Sequence, residues 1–171
     1  MGSTSRIPLV DLIGASQPST HREEVVETIR QACEDTGFLV VTGHGVSKEV
    51  IKGVEVASRE FFSLPYEEKM RYIGSVGVFR GYTPIETSTL ALSRDIVTPP
   101  DLCEAFSINR FDDHEVALRS GLREGREAFF APNIWPERPE GFKHAFETYY
   151  GVMEDLATRL MRLMALALRL D

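Results

Sequence analysis

The sequence predicts an α+β fold, and three segments support that prediction. A polar residue followed by an amphipathic pattern indicates a helix that begins at Thr20 and ends at Gly37. The compact, apolar and β-branched segment Phe38–Thr42 is typical of a buried strand. A long segment with an apolar stripe predicts a terminal helix over about 142–170.

The first helix has clear start and stop signals. Thr20 and Glu23 have the spacing of a capping box, in which each side chain binds the other residue's backbone N–H. Cys33 closes the apolar stripe, so we expect it to be a small buried side chain, and we expect no disulfide with Cys103. Gly37 is the expected end of this helix.

The other predicted elements are short. Ile7–Leu12 alternates weakly and predicts a strand. Ser47 is a candidate cap for a second helix that ends before Pro65, and Pro65 predicts a further short helix through Met70. Beyond Tyr72 glycines and prolines predict mostly loop, with the following candidate elements: strands around Val78–Tyr82 and Glu104–Ile108, and a short helix near Glu115–Leu122.

The terminal helix changes character along its length. Asp155, Arg159 and Arg162 share one stripe, which we expect to face solvent. Leu163–Leu168 is apolar on every side, and such a helix must be surrounded by protein. We expect that this chain alone does not supply that surround.

Composition and charge exclude several function classes. The 171 residues are 43% hydrophobic and 26% charged, as in an ordinary globular protein, and their net charge is −7. No run of five or more Lys and Arg residues occurs, so we expect neither a nucleic-acid nor an anionic-membrane partner. The longest apolar run has six residues, and the first residues have no signal-peptide pattern. We therefore expect a cytoplasmic protein.

The four histidines do not form a complete metal-binding motif. His21 and Glu23 match a His-x-carboxylate pair, but residues two apart on a helix point in different directions. His44 lies between two glycines and is typical of a structural turn. His114 follows two aspartates in a polar segment that is most simply a solvated cluster. The sequence therefore predicts no metal ligands and no catalytic residues in this chain.

Six segments, in this order, resemble the N-terminal half of a known enzyme family. The family is that of the iron- and 2-oxoglutarate-dependent dioxygenases of the isopenicillin-N-synthase-like type. The segments are Ile7–Leu12, Asp35–Val46 (DTGFLVVTGHGV), Phe61–Lys69 (FFSLPYEEK), Arg80–Tyr82 (RGY), Glu104–Phe106 (EAF) and Asn133–Pro136 (NIWP).

The resemblance implies a fold and a chemistry. It implies that residues 1–171 form the helices and first strands of a double-stranded β-helix (jelly-roll) dioxygenase, and that most of the catalytic barrel is absent. Such enzymes couple 2-oxoglutarate decarboxylation and O2 activation at non-haem iron to oxidation of a small molecule. The family's iron ligands, a His-x-Asp pair and a distant His, and its Arg-x-Ser pair for 2-oxoglutarate do not occur here. Fe(II) and 2-oxoglutarate are thus implied cofactors without ligands in this chain, which we expect to be inactive alone.

The resemblance also implies which residues contact substrate. Arg80–Tyr82 resembles an Arg/Gln-Gly-Tyr segment that borders the family's active-site mouth, so we expect Arg80, Tyr82 and the adjacent Thr83 to bind substrate. An arginine there favours a carboxylate-bearing small molecule, although it could equally pair with an acidic residue of the same chain. The adjacent residues Ser88, Thr89 and Arg94 lie where relatives vary most. Cys103 replaces the family's usual lysine beside Glu104, which questions any charged pairing there.

Three functional interpretations remain open from the sequence. In the first, the chain is the front half of a dioxygenase and needs its missing C-terminal half. In the second, it is a non-catalytic or split-subunit module that binds a separate, complementary chain carrying the catalytic half. In the third, which the residues favour least, the chain uses the fold for binding only.

Overall fold

The structure, a computed structural model, describes residues 7–75, 77–85, 99–110, 115, 119, 121, 125 and 129–170. Its named elements are β1 (Leu9–Asp11), α1 (Thr20–Asp35), β2 (Val40–Thr42), α2 (Lys48–Phe62), α3 (Tyr66–Met70), β3 (Gly81–Thr83), β4 (Ala105–Ser107) and α4 (Phe142–Ala167). Among these helices, none combines the length and the hydropathy that a membrane span requires.

These elements belong to two compact units. The first comprises Met1–Ile51 together with Thr148–Asp171, and the second comprises Lys52–Glu147. Helices α2 and α4 each contribute residues to both units.

The first unit contains a βαβ arrangement. Strands β1 and β2 pair in parallel, with Val10 opposite Val41, and α1 connects them. A parallel pair needs such a crossover, because its two strands run in the same direction. The core of this unit contains buried residues from β1 and the loop after it, α1 and α4: Val10, Leu12, Ala15, Val25, Ile29, Leu163 and Ala167.

Helix α1 begins where it was predicted, but its cap is different. Ser19 is extended, and its Oγ accepts the Arg22 N–H at 3.2 Å, whereas Thr20 is already helical. The predicted capping box is therefore wrong by one residue. Gly37 ends the helix as predicted: its φ is +71°, and its N–H donates to the Ala32 carbonyl at 2.9 Å.

Two burial predictions near α1 are wrong. Phe38 is 68% exposed and precedes β2, because the Thr36 hydroxyl bonds both its N–H and its carbonyl in a tight turn. Cys33 is exposed, because Ala32 takes the buried position and the next residue is rotated by about 100°. Cys33 and Cys103 are both free.

The part of α4 in the first unit confirms one prediction and corrects another. Leu163 and Ala167 are buried, while Leu166 and Leu168 remain exposed, the latter by 70%. The described residues thus leave one apolar side of this helix uncovered, as predicted. Arg159 does not simply face solvent, because its Nη1 donates to the His44 carbonyl at 3.0 Å.

The second unit has an aromatic core. Phe61 is fully buried, and its ring lies 4.9–6.2 Å from five others. These neighbours are Phe62, Tyr72, Tyr82, Phe106 and Phe142. Edge-on and tilted ring contacts at such distances are favourable beyond the buried area alone.

The strands of this unit pair locally. β3 and β4 are antiparallel, with Tyr82 opposite Phe106. The predicted strand near Glu104–Ile108 is confirmed, whereas the one around Val78–Tyr82 begins three residues later, at Gly81. The NIWP segment is held by two bonds between the side-chain amide of Asn133 and the backbone of Asn109, at 2.8 and 2.9 Å.

The predicted cap of α2 and the predicted short helix after Pro65 are confirmed. The Ser47 hydroxyl accepts the Val50 N–H at 3.2 Å, and α3 follows Pro65 and ends at Met70. Most of the predicted Glu115–Leu122 helix lies outside the described residues, as do the aspartate–histidine cluster at 112–114 and positions 88, 89 and 94.

Candidate functional site

Strand β3 holds two of the three predicted substrate-binding residues. Tyr82 is buried at 2% exposure, and Thr83 is half-buried on the opposite side of the strand, since successive side chains alternate. Arg80 directly precedes the strand and is also buried. The three residues are therefore adjacent in space, but they do not share one face.

Gly81 allows this segment to approach its neighbour closely. Its φ is +77°, a region that favours glycine. A Cβ at this position would overlap with the Tyr72 carbonyl oxygen. The Tyr82 N–H also donates to that oxygen, at 2.9 Å. Glycine in the Arg-Gly-Tyr sequence is thus required by both conformation and space.

A buried polar network fixes the Tyr82 side chain. Its hydroxyl donates to Oε2 of Glu104 at 2.5 Å, and Nζ of Lys69 donates to the same oxygen at 2.6 Å. Lys69 also donates to the Phe62 carbonyl at 3.2 Å, and its side chain is only 9% exposed. The phenol of Tyr82 is therefore engaged within the protein, and its ring packs in the aromatic core against Phe61.

The network shifts the ionisation of its members. Burial, followed by the hydrogen bond to Glu104, raises the pKa of Tyr82 well above its ordinary range, so the phenol stays protonated. Burial alone would raise the pKa of Glu104, but hydrogen bonds from Lys69 and Tyr82 outweigh it and lower that pKa below 4.5. In this network the Glu104 carboxylate therefore accepts hydrogen bonds from the Lys69 ammonium and from the neutral Tyr82 phenol.

Arg80 is oriented by backbone carbonyls. Its Nε donates to the Ala131 carbonyl at 3.2 Å, and its Nη1 donates to the Phe79 carbonyl. These two bonds fix the plane of the guanidinium.

Thr83 differs from its two neighbours in its hydrogen bonding. Within the described ranges its hydroxyl has no hydrogen-bond partner, and the residue is half-buried beside β4. A hydroxyl in that position can donate or accept one bond to a bound molecule.

Sequence reasoning missed two features of this region. It questioned a charged pairing at Glu104 because Cys103 replaces a lysine, but Lys69 supplies that charge from 35 residues away. It also missed Phe79 and Phe129, whose rings stack at 5.1 Å and 17° while each is more than half exposed. The sequence signal was the presence of Lys69 in the FFSLPYEEK segment, whereas Phe79 and Phe129 had none.

The described residues do not fit a metal ion. In the part of the chain that the structure describes, no three His, Cys, Asp or Glu side chains come together as a metal-binding group. His44 has a structural role, since its Nδ1 accepts the Val46 N–H at 3.1 Å.

Curated relatives share much of this sequence. A homoarginine-6-hydroxylase of Arabidopsis thaliana is 36% identical over an alignment of 152 residues, and the match covers 85% of this chain and 41% of that protein. A homoarginine-6-hydroxylase of Oryza sativa subsp. japonica is 33% identical, and the match covers 98% of this chain and 51% of that protein. Clavatol oxidase of Penicillium crustosum is 30% identical, and the match covers 95% of this chain and 50% of that protein. The chain thus spans about half the length of these relatives or less.

Solved structures share the fold. A full-length Neurospora crassa protein in complex with alpha-KG (2-oxoglutarate) matches with a TM-score of 0.74 at 23% identity. The match covers 96% of this chain and 48% of that one. A putative 2OG-Fe(II) oxygenase family protein from Caulobacter crescentus matches with a TM-score of 0.74 at 24% identity, covering 98% and 50%. Residues 7–138 match the family described as non-haem dioxygenase in morphine synthesis, N-terminal. The chain belongs to this family, whose members depend on Fe(II) and 2-oxoglutarate.

Proposed function

We propose that this chain forms the N-terminal part of an iron- and 2-oxoglutarate-dependent dioxygenase that oxidises a small molecule. The observation that carries the proposal is the family match over residues 7–138. The fold likeness to 2-oxoglutarate oxygenases over nearly the whole chain supports it. Fe(II) and 2-oxoglutarate supply the oxidising chemistry, and the residues of this chain supply walls and positioning.

In this proposal, residues 1–171 are one N-terminal region, and the jelly-roll portion with the iron ligands lies outside them. Uncovered apolar surface supports that division. Leu9 and Val40 are opposed on the β1–β2 pair, and both are exposed. Parallel strands are normally covered on both faces, so this face needs further protein. Leu166 of α4 and Leu168 directly after it are also exposed and need further protein to cover them.

Arg80, Tyr82 and Thr83 form the substrate-binding part of this region. The buried guanidinium of Arg80, oriented by the Ala131 and Phe79 carbonyls, pairs with a substrate carboxylate. The Tyr82 ring, locked by Glu104, forms an apolar wall, and the Thr83 hydroxyl bonds a polar group of the substrate. Two of the named relatives are homoarginine hydroxylases, whose substrate is an amino acid and so carries a carboxylate.

A metal titration of the 171-residue chain tests the location of the iron ligands. We expect no stoichiometric Fe(II) binding and no 2-oxoglutarate turnover by this chain alone. Tight binding of one iron per chain would contradict the proposal.

The role of Arg80 is tested in the protein that includes the C-terminal portion. We expect Arg80→Gln to raise KM for an amino-acid substrate such as homoarginine more than tenfold, with a smaller effect on kcat. The control is Arg71→Gln, because Arg71 is exposed and its described ion pairs, with Glu68 and Glu137, lie at the surface. Equal KM values for the two variants would remove Arg80 from the substrate site.

A second candidate is a non-catalytic or split-subunit module that binds a separate chain carrying the catalytic half. The exposed apolar residues on the β1–β2 face and on α4 favour any arrangement that covers them. Reading the coding DNA beyond residue 171 separates the two. A continuing frame with a His-x-Asp pair supports the single-chain enzyme, and a stop codon followed by a separate frame supports the split module.

A further inference from the structure

Three arginines line one small cavity in the first unit. Arg22, Arg159 and Arg162 surround about 80 Å³ of space, together with Ala15, Ser16 and Leu163. None of these six residues is acidic. The cavity is unrelated to Arg80 and its neighbours, which belong to the second unit.

Each arginine belongs to a helix that borders the cavity. Arg22 lies in the first turn of α1, where its backbone N–H is bound by the Ser19 cap. The Arg159 guanidinium is held by the His44 carbonyl at 3.0 Å. Arg162 follows on α4 at i+3, which puts it on the same side of the helix, and it is exposed. Two helices thus place the three backbones around the cavity, and one of the three guanidinium groups is also held by a hydrogen bond.

Other arginines of the same protein make ion pairs, whereas these three make none with any residue that the structure describes. Arg30 on α1 pairs with Glu27 and Glu34 at 2.6 Å, and Arg59 on α2 pairs with Glu55 at 2.8 Å. Within the described ranges no carboxylate lies within 4.0 Å of the Arg22, Arg159 or Arg162 guanidinium. Three like charges around one cavity repel each other unless an anion joins them.

We propose that this cavity binds a small doubly charged oxyanion of the phosphate class. A volume of about 80 Å³ has room for an ion of a few heavy atoms, since about 10–15 Å³ of cavity space is enough to hold one water molecule. Guanidinium groups bind such oxygens through paired, charge-assisted hydrogen bonds. The positive end of the 16-residue helix α1, which begins beside Arg22, adds to the attraction. The site is independent of the proposed dioxygenase function.

Titration with inorganic phosphate, followed by 31P NMR line width at constant ionic strength, tests this site. We expect saturable binding with a Kd of about 1 mM or tighter. The variant Arg22→Gln/Arg162→Gln, which loses two cavity charges but none of the described hydrogen bonds of these side chains, should bind at least tenfold more weakly. The matched control Arg59→Gln/Arg71→Gln loses two exposed charges elsewhere and should bind like the wild type.

Three outcomes would overturn the site. One is equal weakening in the cavity variant and the control, which indicates only net-charge attraction. A second is binding of acetate as tight as that of phosphate, which contradicts a preference for two charges. The third is absence of saturable phosphate binding both in the 171-residue chain and in the protein with any C-terminal portion. Far-UV circular dichroism of each variant verifies that its helices are retained.

Discussion

The hydroxyl of Tyr82 donates a 2.5 Å hydrogen bond to Oε2 of Glu104, the same oxygen that accepts the Lys69 ammonium. One carboxylate oxygen thus connects α3, β3 and the residue directly before β4. The bond also sets the position of the Tyr82 ring, which packs against Phe61 with centroids 6.0 Å apart. The polar network and the aromatic core therefore both stabilise strand β3.

Replacing Tyr82 with Phe removes the hydroxyl and keeps the ring. We expect the free energy of unfolding to fall by about 2 kcal/mol, because the lost hydrogen bond is to a charged group. Urea unfolding measures this loss. Tyr66→Phe is the control: Tyr66 is exposed, so its change should stay within about 0.5 kcal/mol. Similar values for both variants would show that the Glu104 contact is energetically unimportant.

Glu104→Gln is predicted to destabilise the fold in a pH-dependent way. Near neutral pH it leaves Lys69 buried without its counter-charge, at a cost of about 3 kcal/mol. The pKa of Glu104 is lowered in the fold, so its contribution is present above 4.5 and is lost as the pH falls through the folded-state pKa. The stability difference between wild type and variant should therefore shrink on acidification. A difference that is constant across this range would contradict the lowered pKa.

Two glycines with nearly equal φ separate conformational strain from steric overlap. Gly77 has φ +80° and open space where an alanine Cβ would lie, so Gly77→Ala should cost about 1 kcal/mol. Gly81 has φ +77°, and the Tyr72 oxygen occupies the corresponding space. Gly81→Ala should therefore cost about 2 kcal/mol more than Gly77→Ala. Thermal or urea unfolding of the two variants gives the comparison, and equal losses would mean that no close approach exists.

Phe61→Ala should be strongly destabilising. Removal of a fully buried ring that contacts five others leaves a cavity and costs about 4 kcal/mol. Phe38→Ala, at an exposed position, should change the free energy of unfolding by less than about 0.5 kcal/mol. Urea unfolding of both variants measures the difference. A small effect at Phe61 would indicate that the aromatic cluster can repack.

Parts of the site followed from the sequence because they depend on local signals. The Arg-Gly-Tyr segment, the strand at Ala105–Ser107 and the short helix after Pro65 each occur near their predicted places. The Lys69–Glu104 pair could not be predicted from the sequence, since no local pattern relates two residues that are 35 positions apart. The stacked Phe79 and Phe129 rings are even farther apart in the chain, and their contact depends on the path of the backbone between them.

The sequence by itself determined the α+β character, the helix ends and the ordered segments that indicate the dioxygenase family. These rest on periodicity, caps and turn residues, which act over a few positions. Only the tertiary structure decided which polar groups meet: Tyr82 with Glu104, Arg159 with the His44 carbonyl, and three arginines around one cavity. Such contacts are set by the packing of distant elements. Packing also decides which of two neighbouring helix residues is buried, and here it is Ala32, while Cys33 is exposed.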